Sequence, residues 1–223
     1  GPATRATLAV VDPLLTRGLP AHITASTGMD AFAHALEAYT SVINNLMSDA
    51  LAEKALELIV TYLPRAVKDG TDMEARTQMS FACLIAGMSF NDAIPHFGHA
   101  FGHALGCCYH IPHGVGCALG QPAVVELAAD VMPEKIQKLG GFFGLTLDEN
   151  LSPVELGRRV SDAVLAFSRQ IGIPTLKDLD IEDLDFEEVA QSLMTDICFS
   201  FLPKPMDKQA VLDRIKRIYT AGA

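Results

Sequence analysis

From about position 25 to the C-terminus, apolar residues recur at three- and four-residue intervals, and few of the alternating β-branched runs of half-buried strands interrupt them. The spacing predicts helices over Met29 to Val42, from Ser48-Asp49 toward Pro64, and over Met73 to Asn91, Phe97 to Cys108 and Gly114 to Ala129. Four more follow over Glu134 to Phe143, Pro153 to Ile171, Phe186 to Thr195 and Asp207 to Tyr219. Ser26-Thr27-Gly28 reads as the cap of the first helix and Ser48-Asp49 as that of the second, while Pro153 stands behind Ser152 as a first-turn proline does. Residues 5–12 are the one stretch that reads as a strand, ended by Asp12-Pro13. A lone strand has no ladder partner, so it reads as the tail of a sheet whose other strands lie upstream. The expected fold is all-α, a helical bundle with one short N-terminal strand: residues 1–20 form the strand and its connection, and residues 21–223 the helical domain.

Composition narrows the class. The chain has 223 residues, 49% of them hydrophobic and 20% charged, which suits a globular core. A formal charge of −10 disfavours nucleic acid, whose binders need clustered Lys and Arg, and here Arg214-Ile215-Lys216-Arg217 is the sole dense basic run. Runs such as Ala55-Leu56-Glu57-Leu58-Ile59-Val60 are broken by charge well short of the roughly 18 apolar residues of a membrane span. Five cysteines, odd in number and without CxxC spacing, predict reduced thiols in a cytoplasmic protein and no structural zinc finger. Residues 177–188, with seven acidic residues, read as a solvated connection.

The candidate chemistry is concentrated in histidine. Five of the seven histidines fall between positions 96 and 113, and neutral imidazole is the commonest metal ligand among side chains. Asp30 and His34 are four apart on a predicted helix, so both emerge on one face. His99 and His103 repeat that spacing on another, and His113 follows a turn around Ile111-Pro112 that can fold it back beside His99. Each pair alone also fits an ordinary Asp–His hydrogen bond or core histidines satisfied by carbonyl groups. His96 and His110 lack this register and read as loop or rim residues, and His22 as a surface one. One carboxylate with three imidazoles suits Fe(II), Zn(II), Mn(II), Co(II) or Ni(II), and a further coordination position is left for a substrate oxygen.

The run Gly28-Met29-Asp30-Ala31-Phe32-Ala33-His34-Ala35-Leu36-Glu37-Ala38-Tyr39, with His99-xxx-His103-Ala104-Leu105-Gly106 and Tyr109-xx-Pro112-His113-Gly114, closely resembles the iron-containing (group III) alcohol dehydrogenases. The resemblance covers essentially the whole chain, and Val10-Val11-Asp12-Pro13 with Leu19-Pro20 is similar to the family's passage between its two domains. It implies a C-terminal helical domain in which Asp30, His34, His99 and His113 hold the metal, Fe(II) or alternatively Zn(II). His103 matches the family's non-ligand histidine, which relays the alcohol proton, while Phe90 and Cys198 match residues lining the substrate cleft. It also implies hydride transfer between a small alcohol or aldehyde and NAD(P); a homo-oligomer, a dimer, is expected separately, from apolar surface left exposed where the nucleotide-binding domain packs.

Two stretches depart from the family pattern. Ala93-Ile94-Pro95-His96 stands where small glycines are usual, and Phe201-Leu202-Pro203-Lys204-Pro205 replaces an Asn-Pro-Arg stretch. These bear on the substrate and not on the metal. The family's N-terminal nucleotide-binding domain is not among these residues. Gly114, Gly116 and Gly120 fail the dinucleotide fingerprint, because the third glycine comes one residue late and no strand precedes them, and they read as helix packing. The expectation is therefore a metal-binding catalytic half, inactive with NAD(P) alone, exposing apolar surface where the nucleotide domain packs. Glycerol dehydrogenases and dehydroquinate synthases look similar and give a second reading, although they use fewer histidine ligands. A non-catalytic metal-binding or oligomerisation module is a third. No HExxH motif supports a hydrolase.

Overall fold

A computed structural model describes residues 7–181 and 183–221, and among these every regular element is helical, without a strand. Nine α-helices follow one another: α1 (Ala21–Thr40), α2 (Leu46–Lys68), α3 (Met73–Asp92), α4 (Phe97–Tyr109), α5 (His113–Ala129), α6 (Pro133–Phe142), α7 (Pro153–Gln170), α8 (Phe186–Thr195) and α9 (Lys208–Ala221). Single 3-10 turns at Pro13–Thr16 and Ile197–Phe201 complete the described elements.

The expected strand over residues 5–12 is not found. Its first two residues lie outside the described part, and residues 7–12 run as exposed, irregular chain. With no second strand to accept its N–H groups, extended backbone gains nothing from a ladder and leaves those groups to water. The expected helices all form, α3, α4, α7 and α8 at the expected starts and the others with shifted ones. α1 begins at Ala21 behind Pro20, so Ser26, Thr27 and Gly28 lie inside it; the Ser26 and Thr27 hydroxyls donate to Ile23 O instead of capping. α2 is capped by Asn45 in a reciprocal box with Ser48, and it continues through Pro64 to Lys68.

α1 is the axis of the bundle. From Ala31 to Thr40 every residue except His34 is buried, the mark of a helix covered on all sides. The α2–α3 hairpin packs on one side of it and α4–α5 on the other, with α7 against α5 and α8 against α4. Small residues set how close α4 and α5 lie. A Cβ added at Gly120 would meet Gly98 Cα at 2.8 Å, and one at Gly116 would meet Gly102 Cα at 2.9 Å, so only hydrogen fits at either crossing. At Gly114 an added Cβ would meet Ser26 O at 2.1 Å, so this glycine lets the start of α5 lie directly against α1.

Gly114→Ala therefore forces backbone apart and should cost about 1–3 kcal/mol of stability. Gly141→Ala, at an exposed position of α6 with nothing within 4 Å, should be neutral or stabilising by up to about 1 kcal/mol. Thermal unfolding of the two variants beside the parent checks the contrast.

Candidate metal centre

Three helices meet at one point. α1 contributes Asp30, His34 and Glu37 at i, i+4 and i+7, α4 contributes His99 and His103, and α5 opens with His113 and carries Cys117 and Gln121 one and two turns on. Glu37 is fully buried, and its carboxylate collects four donors. Oε2 accepts from the His96 and His99 backbone N–H groups at 2.7 and 3.2 Å. Oε1 accepts from His99 Nδ1 at 2.9 Å and from Gln121 Nε2 at 2.9 Å. Burial alone would push the Glu37 carboxyl up, but the histidine charges and these bonds outweigh it and bring it down to about 2. A Cβ at position 98 would meet Gln121 Nε2 at 2.2 Å and Glu37 Oε1 at 2.5 Å, which is why a glycine precedes His99.

Glu37 also settles which His99 nitrogen faces the centre. With Nδ1–H given to the carboxylate, Nε2 carries the lone pair. His34 is arranged likewise: its Nδ1 donates to Asp30 O at 2.8 Å, leaving Nε2 free. The two Nε2 atoms then confront each other at 3.2 Å. Asp30 Oδ1 lies 3.7 Å from His99 Nε2 and 3.3 Å from His113 Nε2, is buried, and has no hydrogen-bond partner. Opposed lone pairs beside an orphaned carboxylate oxygen are unfavourable by themselves and are resolved by a cation among them. The spacing suits one, because bonds of about 2.1 Å place neighbouring donors of a tetrahedral or octahedral ion roughly 3.0–3.4 Å apart.

Burial pushes His99 down, but the Glu37 and Asp30 carboxylates outweigh it and leave it above its ordinary value, whereas Asp30 and His34 are shifted the other way. Burial pushes the Asp30 carboxyl up, but contact with His113 and the fields of the three histidines leave it below its ordinary value. His34 is pushed down by burial and by His99, which keeps it a neutral donor of its lone pair.

Donor atoms of Asp30, His99, His113 and Cys117 thus lie within 4.8 Å of one another, His34 joins them through its Nε2 beside that of His99, and His103 stands next to the group. Its ring stacks on His113 with centroids 5.2 Å apart and planes at 18°, and its Nδ1 is 2.8 Å from Asp196 Oδ2. Phe90, in the last turn of α3, places its ring 4.3 Å from that of His34. Cys198 is buried in the 3-10 turn, and its sulfur lies within 4.8 Å of donor atoms of His103 and Asp196. Burial, with Asp196 nearby, pushes its thiol up to about 12. His22 and His110 are exposed, as the sequence suggests, whereas His96 is not a rim residue. It is buried at the N-cap of α4, its Nε2 lies 2.9 Å from Thr40 Oγ1, and burial pushes it down to about 4. The reason is Glu37, which draws the His96 N–H inward from the neighbouring helix.

Four residues of the site escape the spacing analysis: Glu37, Asp196, Cys117 and Gln121. Glu37 carried a signal, an acid within the apolar stretch Ala35 to Tyr39 on the face of Asp30 and His34. Cys117 follows His113 by one turn, and its Sγ is 3.5 Å from His113 Nε2 and within 4.8 Å of donors on Asp30 and His99. Burial pushes this thiol far up.

Comparison with known proteins places the chain in a family. The profile described as Fe-containing alcohol dehydrogenase family, C-terminal, matches residues 24–219. The chain belongs to this family. Members of the Fe-containing alcohol dehydrogenase family similar to it include the 1,3-propanediol dehydrogenase of Citrobacter freundii, 40% identical over 190 residues, or 85% of this chain and 49% of that protein. Alcohol dehydrogenase 4 of Saccharomyces cerevisiae is 39% identical over 213 residues, 95% of this chain and 54% of that protein. The crystal structure of a 1,3-propanediol oxidoreductase superposes with a TM-score of 0.85 at 37% identity, covering 93% of this chain and 54% of that one. The chain therefore spans about half the length of the Fe-containing alcohol dehydrogenases it matches, and its all-helical fold is that of the family's C-terminal domain.

Glu37→Gln keeps the shape but replaces the acceptor facing His99 Nδ1 and loses the charge behind it. Removal of such a partner typically costs 10–100-fold in metal affinity. Competitive titration of the variant and parent with Zn(II) against a chromogenic chelator should show a loss in that range while far-UV circular dichroism is unchanged.

Proposed function

We propose that the chain is the metal-binding, catalytic half of an alcohol dehydrogenase that interconverts a small alcohol and its aldehyde with NAD(P). Asp30, His34, His99 and His113 hold one divalent ion, iron(II) ahead of zinc(II), as the family's description suggests. The observation that carries this reading is the buried, partnerless Asp30 Oδ1 facing the Nε2 atoms of His113 and His99, with the far edge of the His99 ring anchored by Glu37 and His34 Nε2 set against His99 Nε2. NAD(P) is taken by the nucleotide-binding domain that the resemblance implies.

When bound, the metal supplies Lewis acidity at the substrate oxygen. The chain's own residues do the rest. Asp30 contributes the one negative charge of the set, so the centre keeps a net positive charge. Glu37 and Asp30 O hold the His99 and His34 rings in the orientation that presents Nε2, so the site is organised in advance. Phe90 lays an apolar wall against His34 that excludes water from the carbon side of the substrate. The buried Cys198 thiol closes the wall beside His103. His103, about two-fifths exposed, stands between the buried cluster and solvent and passes the hydroxyl proton outward. A cytoplasmic location fits five free cysteines, and a homo-oligomer fits the apolar Leu14 and Leu15 left exposed on the protein surface.

Anaerobic reconstitution with Fe(II), and in parallel with Zn(II), should load one ion per chain. His99→Ala/His113→Ala should fall to background in both cases. Equal loading of parent and variant would put the ion elsewhere and remove the four-ligand assignment.

A further inference from the structure

The contact between His103 and Asp196 is not needed to hold a metal. Asp196 lies between α8 and the Ile197–Phe201 turn, where its Oδ1 accepts from the Cys198 N–H at 2.8 Å and caps that turn. Its Oδ2 is committed elsewhere, to His103 Nδ1 on α4 at 2.8 Å, 93 residues away in the chain. The carboxylate is thus fixed by backbone on one oxygen before it meets the ring with the other. The ring's plane is set independently by stacking on His113. Stacking leaves the ring free to turn within that plane, so it cannot decide which nitrogen bears the proton. A carboxylate can: ionised, it only accepts, so the nitrogen facing it must carry hydrogen.

We infer that Asp196 is a positioning residue that locks His103 as the Nδ1–H tautomer, leaving Nε2 as its one lone-pair nitrogen and proton acceptor. The catalytic meaning of this assignment rests on the dehydrogenase reading, in which the alcohol proton leaves through His103. Turn capping alone would ask nothing of Oδ2. The arrangement has the logic of a carboxylate orienting a catalytic imidazole, built here across two elements far apart in sequence.

Asp196→Asn separates the two roles. Its amide oxygen still accepts from the Cys198 N–H, so the turn keeps its cap, and asparagine is a good capping residue. The NH2 group then faces His103 Nδ1, which must become the lone-pair nitrogen. The test is a long-range 1H–15N correlation spectrum of the whole 223-residue chain, 15N-labelled at histidine, metal-free and well above the ordinary imidazole pKa of about 6.5. In the parent the His103 proton should sit on Nδ1, and in Asp196→Asn it should shift to Nε2. His99, anchored by Glu37, should keep its tautomer in both and serves as the internal control. A parent His103 protonated on Nε2, or a variant whose tautomer does not change, would overturn the inference. Should the variant not fold, the parent spectrum decides alone. Zn(II) titration of the same samples keeps the two readings apart: absence of metal binding by the parent removes the dehydrogenase reading and leaves the tautomer result standing.

Discussion

Glu37 is a carboxylate taken wholly out of water in the last turn of α1, and burying such a charge costs several kcal/mol unless its lone pairs are filled. Here the donors come from two other helices: two backbone N–H groups at the start of α4, the His99 ring, and Gln121 on α5. α4 has no side-chain cap of its own, since His96 at its N-cap makes none. The carboxylate of α1 takes that place, meeting the exposed N–H groups and the positive end of the α4 dipole together. One group therefore ties the helix carrying Asp30 and His34 to the helix carrying His99 and, through Gln121, to the helix carrying His113. The same group turns the His99 ring, so the packing of the bundle and the orientation of the site have a common origin.

Close packing follows from that constraint. A short side chain such as Glu37 reaches α4 and α5 only where the helices nearly touch, and they do so where glycine faces glycine. Gly98, Gly102, Gly116 and Gly120 recur at four-residue spacing in both helices, which lines the small residues up along one face of each. Gly98 and Gly114 each adjoin a candidate ligand, His99 and His113. The backbone thus comes closest where the geometry of the centre is set, and a rigid helical frame rather than a loop holds the imidazoles.

Much of the fold was legible because helical periodicity is local. The start of α3, all of α8 and the extent of α4 through α7 can be read to within a residue or two from apolar spacing and capping residues. The errors have identifiable causes. Ser26-Thr27-Gly28 has the composition of a cap, but its hydroxyls bond back within α1, and the glycine is there to admit Leu63. Residues 7–12 have β-favouring composition, but strand formation depends on a partner that composition cannot supply. His96 looked like a rim residue because its neighbours are Pro95 and a helix start, and nothing nearby indicates that a carboxylate 59 residues earlier draws it into the interior.

By itself the sequence determined the helices, the i, i+4 placement of Asp30 with His34 and of His99 with His103, and the family motifs, since each depends on residues within a few turns of one another. The tertiary structure alone decided the remainder: that Glu37 anchors His99 across 62 residues and Gln121 across 84, that Asp196 reaches His103 across 93, and that His96 is buried. Those pairings depend on how helices approach in space. Their strength comes from burial, where an unpaired carboxylate is costly and a well-filled one fixes the orientation of everything bonded to it.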